Sequence, residues 1–223
     1  MRAVRSTYAR FPRLGPWLYV SAIQYFVVQF LVAIRFEPTY SVARNTISDL
    51  GNTTCDKFNG RPVCSPLHSV MNISFVVLGL AMITGSTLVY CAFAGRRAAA
   101  VGFLGFGLGG LGAVLVGLYP ENTVPAFHGL GSALPFVIGN AGIVVLGVSL
   151  DAPRWLRRFT ITIGCAALVG LAFYSSSQFL GLGEGGIERV VAYPQTVWMV
   201  VVGLYLLTRS RRLARSTWLA GLG

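Results

Sequence analysis

The sequence predicts an all-α, polytopic integral membrane protein: a six-helix transmembrane bundle with both termini in the cytoplasm. Three observations support this fold class. Of the 223 residues, 54% are hydrophobic and only 11% are charged, whereas soluble proteins contain about 25% charged residues. The hydrophobic residues gather in six long segments, and the basic residues gather on one side of them. This composition excludes a soluble domain.

Each hydrophobic segment reaches the roughly 20 apolar residues that a helix needs to cross a bilayer. Helices are expected because an open sheet leaves its backbone groups unpaired in lipid, and the alternating pattern of a membrane barrel is missing. The predicted spans are Leu14–Ile34, His68–Phe93, Ala98–Tyr119, Ala126–Leu150, Phe159–Leu180 and Val190–Thr208.

The distribution of charge predicts the orientation. Thirteen of the 18 basic residues precede the first span, follow the last one, or lie between spans 2 and 3 or spans 4 and 5. The opposite side has five basic residues and six of the seven acidic ones. Because basic residues accumulate on the cytoplasmic side, both termini are predicted there. The net charge of +11 therefore reports orientation, and no nucleic-acid partner is expected.

The same reasoning divides the chain. Residues 1–13 form a basic cytoplasmic N-terminus, residues 14–208 the transmembrane domain with an outer loop at about 35–67, and residues 209–223 a basic cytoplasmic tail. Arg outnumbers Lys by 17 to 1, a bias that suggests a bacterial genome. The expected location is the inner or plasma membrane of a bacterium.

The outer loop contains two cysteines, Cys55 and Cys64. The outer compartment permits disulfides, so a bridge between them is predicted. A pair of metal-binding thiols is the alternative, although a single pair with this spacing is weak as a zinc motif.

Small residues recur every four positions along the third span, at Gly105, Gly109, Ala113 and Gly117. Such a ridge lets helix backbones approach closely. Packing within the bundle is expected, and contact between subunits is the alternative. Pro135 is expected to kink the fourth span.

The two histidines of the chain begin the second and fourth spans, so both are predicted at the same depth near the outer surface. His68 shares a helix face with Asn72, and His128 shares one with Ser132, because residues four apart are neighbours on a helix. Other polar residues are predicted at the same level. They are Asn45, Ser48, Asp49, Glu121, Tyr174, Ser175, Gln178, Glu188, Arg189, Tyr193 and Gln195.

This polar level suggests chemistry, because histidine titrates near neutral pH and serves as a general acid or base. The candidate catalytic residues are His128, Asp49, Glu121 and His68. A Ser-His-Asp hydrolase would also need Ser48, Ser65, Ser69 or Ser175 near a histidine. A zinc site of His68 and His128 with Asp49 or Glu121 is the alternative; otherwise the cofactor is unknown.

A further set of residues is assigned to substrate binding. Arginine suits a phosphate group, so Arg44 or Arg189 is expected to hold the headgroup of a lipid. The candidate binding residues are Arg44, Asn45, Ser48, Glu188 and Arg189.

Three segments together resemble a known family. They are residues 40–51 (YSVARNTISDLG), residues 117–122 (GLYPEN) with His128, and residues 185–189 (GGIER). They are similar to the bacterial and archaeal membrane family called domain of unknown function 998, over almost the whole chain. Tyr119 stands where the family pattern has Phe. The resemblance implies a six-helix bundle and no established activity. Its marked positions are Arg44, Asn45, Ser48, Asp49, Glu121, His128 and Arg189.

Two functions remain open from the sequence. One is a lipid-handling protein with an outward-facing polar site that hydrolyses or transfers a lipid headgroup. The other is a non-enzymatic subunit of a larger membrane complex, in which Asp49 pairs with Arg189 or Arg44 as a structural clasp. The expected partners are membrane lipids, with a membrane protein or a second copy of the chain as the alternative.

Overall fold

The fold is described from a computed structural model, which describes residues 13–92 and 97–220. Of the basic residues counted above, Arg2, Arg5, Arg10 and Arg96 lie outside the described residues. The side chains of Arg211, Arg212 and Arg215 lie outside them too.

Six helices in the described part of the chain are long and apolar enough to cross a membrane. The predicted all-α class and the number of spans are therefore confirmed. The helices are α1 (Leu14–Ala33), α2 (His68–Ala92), α3 (Arg97–Leu118), α4 (Pro125–Ser149), α5 (Arg154–Ser175) and α6 (Gly183–Ala220), which spans with Gly183–Arg209.

The helices follow one another around a ring in chain order. Each helix packs against the next, and α1 closes the ring by packing against α6. Three aromatic side chains fill the centre of the ring. The ring of Phe106 on α3 lies 4.9 Å from that of Trp198 on α6, and the ring of Tyr19 on α1 lies 5.6 Å from that of Trp198. All three side chains are buried, so this cluster plugs the ring.

The small residues of α3 pack within the bundle, as expected. A Cβ on Gly109 would lie 3.1 Å from the Cα of Gly139 on α4. On the adjacent side, a Cβ on Gly110 would lie 2.7 Å from the carbonyl oxygen of Gly79 on α2. Since α3 packs between α2 and α4, small residues on both its sides are needed for this close approach.

Two helix boundaries differ from the prediction. α5 covers Arg154–Ser175 instead of Phe159–Leu180, and α6 begins at Gly183 instead of Val190. Hydropathy begins a span at its first apolar residue, but the first turns of both helices contain charged residues. Glu184 and Glu188 therefore lie four apart on one face of α6, because residues at this spacing are neighbours on a helix.

Pro135 lies in a π-helical segment, Leu134–Gly139, in the middle of α4. Because a π-helical turn is wider than an α-helical one, backbone carbonyl groups in this segment can accept hydrogen bonds from side chains. Gln195 on α6 donates to the Pro135 carbonyl at 2.7 Å, and Asn140 donates to the Phe136 carbonyl at 3.0 Å. π-Helical turns are frequent at functional sites.

The connection between α1 and α2 contains a short 3₁₀ helix, Ser48–Gly51, and a hairpin of β1 (Cys55–Phe58) and β2 (Arg61–Cys64). Asn59 and Gly60 form the two-residue turn, both with positive φ, as a tight hairpin requires. Cys55 and Cys64 are directly opposite and form the predicted disulfide.

Candidate functional site

The three motif segments meet at one end of the ring. This end, called here the loop end, carries the 34–67 connection and the turns 119–124 and 176–182. The segment Tyr40–Gly51 is called the motif loop. The distribution of charge predicts that the loop end faces outside the cell.

Arg189 fixes the motif loop onto α6. Its Nη1 donates to the carbonyl oxygens of Val42 and Asn45, both at 3.1 Å. Its Nη2 donates to the Tyr40 hydroxyl, and its Nε donates to the Tyr193 hydroxyl at 3.1 Å. The guanidinium is buried and its donors are occupied by protein groups, so Arg189 holds the loop.

A second clamp holds the hairpin onto the motif loop. Arg61 donates from Nε to Asp49 Oδ2 at 2.8 Å and from Nη2 to Asp49 Oδ1 at 3.1 Å, and its Nη1 contacts Glu184 Oε2 at 2.8 Å. Asp49 is fully buried and also accepts from the Asn45 side chain and the Thr46 amide. The partner of Asp49 is therefore Arg61, and not Arg189 or Arg44 as the clasp hypothesis expected.

These clamps place Ser48 beside His128. Ser48 Oγ lies 3.0 Å from His128 Nε2, and His128 Nδ1 lies 2.9 Å from the carbonyl oxygen of Tyr119. Because a carbonyl can only accept, Nδ1 carries the proton, and in the neutral ring Nε2 then accepts from the Ser48 hydroxyl. This is the arrangement of a nucleophile, a base and a group that orients the base.

A cavity of about 360 Å³ opens over this pair and is called here the polar cavity. The 3₁₀ helix, the hairpin tip, the α3–α4 turn and helices α4, α5 and α6 all contribute to its walls. Its polar lining residues are Thr46, Ser48, Asn59, Arg61, Glu121, His128, Ser132, Tyr174, Ser175, Glu184 and Glu188.

Glu121, which also lines the polar cavity, has a raised pKa. Burial raises the pKa of Glu121 to about 8, and the negative charge of the neighbouring Asp49 is the next largest cause. A hydrogen bond from the side-chain amide of Asn52, at 3.1 Å, acts in the opposite direction and lowers the pKa. At neutral pH, Glu121 is therefore a neutral acid that can donate a proton.

Glu188 also lines the polar cavity. It is buried, and its Oε2 accepts from the Ile47 amide at 2.5 Å. This bond ties the start of the 3₁₀ helix to α6 beside Ser48.

The structure brings together Asn45, Ser48, Asp49, Glu121, His128, Glu188 and Arg189 from the predicted site residues. Arg44 is exposed and does not line the polar cavity. His68 does not line it either, and its Nδ1 bonds to the Ser65 carbonyl at 3.0 Å. In residues 13–92 and 97–220, no three His, Cys, Asp or Glu side chains are grouped to hold a metal ion.

The sequence analysis did not identify three residues that hold the site together. Arg61 and Glu184 were counted only as charges, and Tyr40 only as part of the family motif. Each acts through a partner far along the chain, so no spacing reveals it. The two-cysteine loop around Arg61 was the one available signal, since a disulfide fixes where such a side chain lies.

A second, smaller cavity of about 50 Å³ lies inside the ring and is called here the ring cavity. Ser48, Ser132, Phe136 and Glu188 line both cavities. The remaining walls are mostly apolar and include Tyr25, Phe75, Leu78, Met82, Ala113 and Val116.

The fold and this site define a multi-pass membrane protein with a Ser–His pair under a cavity at one end of the bundle. A family model described as protein of unknown function (DUF998) matches residues 20–205. The chain belongs to this family, as its motifs indicated. Searches of curated proteins and of solved structures find no match.

Proposed function

We propose that the protein is a membrane hydrolase or transferase that cleaves an ester bond in the headgroup region of a lipid. Ser48 is the nucleophile and His128 is its general base. The observation that carries this proposal is the 3.0 Å contact between Ser48 Oγ and His128 Nε2, with Nδ1 held by the Tyr119 carbonyl.

The reaction has two steps. Ser48 Oγ attacks the ester, its proton moves to His128 Nε2, and the leaving alcohol departs with that proton. Water or an acceptor alcohol then attacks the enzyme-bound ester and gives its proton to Nε2, and Ser48 leaves as the restored hydroxyl. Donors on Asn59 and Tyr174 line the same cavity and can face the negative charge that develops on the reacting oxygen.

A lipid substrate is favoured by the lateral walls of the polar cavity. Phe136 and Val137 on α4 and Leu171 on α5 are apolar lining residues of this cavity. Val137 is 44% exposed on a helix that is apolar enough to cross a membrane. A lipid therefore can enter from the side while its headgroup reaches Ser48.

The test is hydrolysis of fluorescent phospholipid and neutral glyceride esters by the purified protein in vesicles. His128→Ala is expected to lower the rate by about 10²–10⁴-fold, the usual contribution of an acid or base, and Ser48→Ala, which removes the nucleophile, by at least as much. Ser69→Ala, at the same end of α2 and exposed, is the matched control. Equal rates in the His128→Ala variant and the control would overturn the proposal.

His68→Ala separates this mechanism from a zinc site. The Ser–His mechanism predicts that this variant keeps its activity, since His68 lies outside the polar cavity. A zinc site of His68 and His128 predicts that both histidine variants lose activity and bound zinc.

A structural subunit is the second candidate function. It is favoured by Arg189 and Asp49, whose polar atoms bond to protein groups and hold the motif loop without a ligand. Under this proposal the protein copurifies from its native membrane with a stoichiometric membrane protein or a second copy. Ser48→Ala then leaves the assembly and its function intact.

A further inference from the structure

The ring cavity begins where the proposed nucleophile lies. Ser48 lines both the polar cavity and the ring cavity, as do Ser132, Phe136 and Glu188. A substrate bonded to Ser48 therefore has one cavity on each side of its reacting centre. The two cavities differ in chemistry, and this difference identifies the two parts of the substrate.

The charges of the polar cavity disfavour a phosphate group. Its charged lining residues are Arg61, Glu121, Glu184 and Glu188. Arg61, the cation in this set, is already paired with Asp49 and Glu184, both at 2.8 Å. An anionic phosphate would lie beside the acidic side chains of Glu184 and Glu188 without a free cation among the described residues of this wall. A neutral or amine-bearing alcohol fits better.

The ring cavity suits a hydrocarbon chain. Its walls come from five helices, and Phe75, Leu78, Met82 and Ala113 are buried apolar residues. The aromatic cluster of Tyr19, Phe106 and Trp198 fills the ring elsewhere. Apolar pockets with a few placed polar groups are the usual form of small-molecule sites.

We propose that the substrate is a carboxylic ester whose acyl chain occupies the ring cavity and whose alcohol occupies the polar cavity. This inference rests on the proposed function and names its substrate class. Ser48 Oγ bonds to the acyl carbon, the bond from that carbon to the alcohol oxygen breaks, and the alcohol takes the proton held by His128. Water then releases the carboxylic acid.

The volume of the ring cavity sets the expected chain length. The ring cavity, at about 50 Å³, is much smaller than the polar cavity, at about 360 Å³. The best substrate is therefore expected to be a short acyl ester, and longer chains are expected to react more slowly.

The experiment measures hydrolysis of p-nitrophenyl esters of two to twelve carbons by the full-length protein in detergent. Ala113→Val narrows the ring cavity, and Leu78→Ala widens it. Ala172→Val adds the same volume at an exposed position of α5 and is the control. All variants are also treated with a methyl fluorophosphonate, which labels a reactive serine. Its small substituent does not need the acyl site, so the labelled fraction measures how many protein molecules have a reactive Ser48.

Opposite shifts would support the inference: the preferred chain is expected to shorten by about two carbons in Ala113→Val and to lengthen in Leu78→Ala. The control keeps the wild-type profile. If all variants label at Ser48 and share one chain-length profile, the acyl site is wrong and the Ser–His mechanism stands. If wild-type Ser48 neither labels nor hydrolyses any ester, the proposed function fails, and this inference fails with it.

Discussion

His128 is oriented by a backbone carbonyl, and not by a carboxylate as in a Ser-His-Asp triad. The Tyr119 carbonyl fixes the tautomer of the ring, which is the first task of the third member of such a triad. The Tyr119 side chain instead stacks on Phe127 at 4.8 Å. Because the backbone performs the orienting role, either Tyr or Phe can stand at this position of the family motif.

Glu121 makes the stability of the protein depend on pH. Its pKa of about 8 in the folded state is higher than the value of about 4.3 expected in an unfolded chain. The folded state thus binds more protons between these values, and stability falls as the pH rises through that window. Burial of the carboxyl group is the main physical cause, and the negative charge of the neighbouring Asp49 is the next.

Glu121→Gln is expected to remove most of this pH dependence. Between pH 5 and 9, the free energy of unfolding of the wild type should fall, and at pH 9 that of the variant should be larger by up to a few kcal/mol, since each pKa unit is worth about 1.4 kcal/mol. Thermal unfolding in detergent measures it, with Asp56→Asn, an exposed hairpin acid, as the control. Parallel curves for Glu121→Gln and wild type would contradict the account.

Sequence reasoning found the site residues better than their roles. The depth of the two histidines and the family motif pointed to His128, Asp49 and Ser48. Their partners come from other segments of the chain, since Ser48 and His128 are 80 residues apart and Asp49 and Arg61 are 12 apart, and no local pattern encodes these contacts. His68 shares the depth of His128, but its ring turns to the Ser65 carbonyl.

At the scale of elements, the disulfide hairpin carries Arg61 to the motif loop. The turn at Asn59 and Gly60 sets the register that places Arg61 opposite Phe58 at the start of β2. The 3₁₀ helix packs closely against α2, because a Cβ on Gly51 would clash with the Asn72 side chain of α2. Asn72 also donates to the Gly51 carbonyl at 2.9 Å.

Arg61→Met is expected to lower stability by about 3–5 kcal/mol, because it leaves the buried Asp49 charge without its partner. Asp49→Asn in the same chain should recover part of this loss by removing that charge. Chemical denaturation monitored by intrinsic fluorescence measures both, and Lys57→Met, exposed on β1, is the control. An unchanged midpoint for Arg61→Met would show that the clamp contributes nothing.

The predicted start of α6 was wrong for an instructive reason. Hydropathy placed Glu184, Glu188 and Arg189 in a loop, yet they belong to the first turns of the helix. Gly185 allows this, since a Cβ at this position would clash with the carbonyl oxygens of Asn45 and Val42 in the motif loop. Charged residues can belong to the first turns of α6 because they form hydrogen bonds and ion pairs with groups at the loop end.

At the scale of the whole molecule, the order of α2 to α6 around the ring follows from the short connections between these consecutive helices, as in other bundles with neighbouring antiparallel helices. The composition and the lengths of the apolar segments were sufficient to predict six spans. Closure of the ring by α1 and α6 was beyond the sequence, because that contact joins opposite ends of the chain.

The orientation predicted from charge has its own test. In a variant with Cys91 and Cys165 replaced by alanine, Thr123→Cys at the loop end should react with a membrane-impermeant maleimide on intact cells. Asp151→Cys, in the α4–α5 connection, should react only after lysis. Both positions are exposed. The reverse pattern would place the polar cavity in the cytoplasm.

The central claim is that His128 activates Ser48, and mapping of a covalent adduct tests it most directly. The purified protein is treated with a fluorophosphonate, digested and analysed by mass spectrometry. We predict an adduct on Ser48, formed about 100-fold or more slowly in His128→Ala. An adduct on Ser65, Ser69 or Ser175 instead, or a rate at Ser48 that is the same in His128→Ala, would contradict the account.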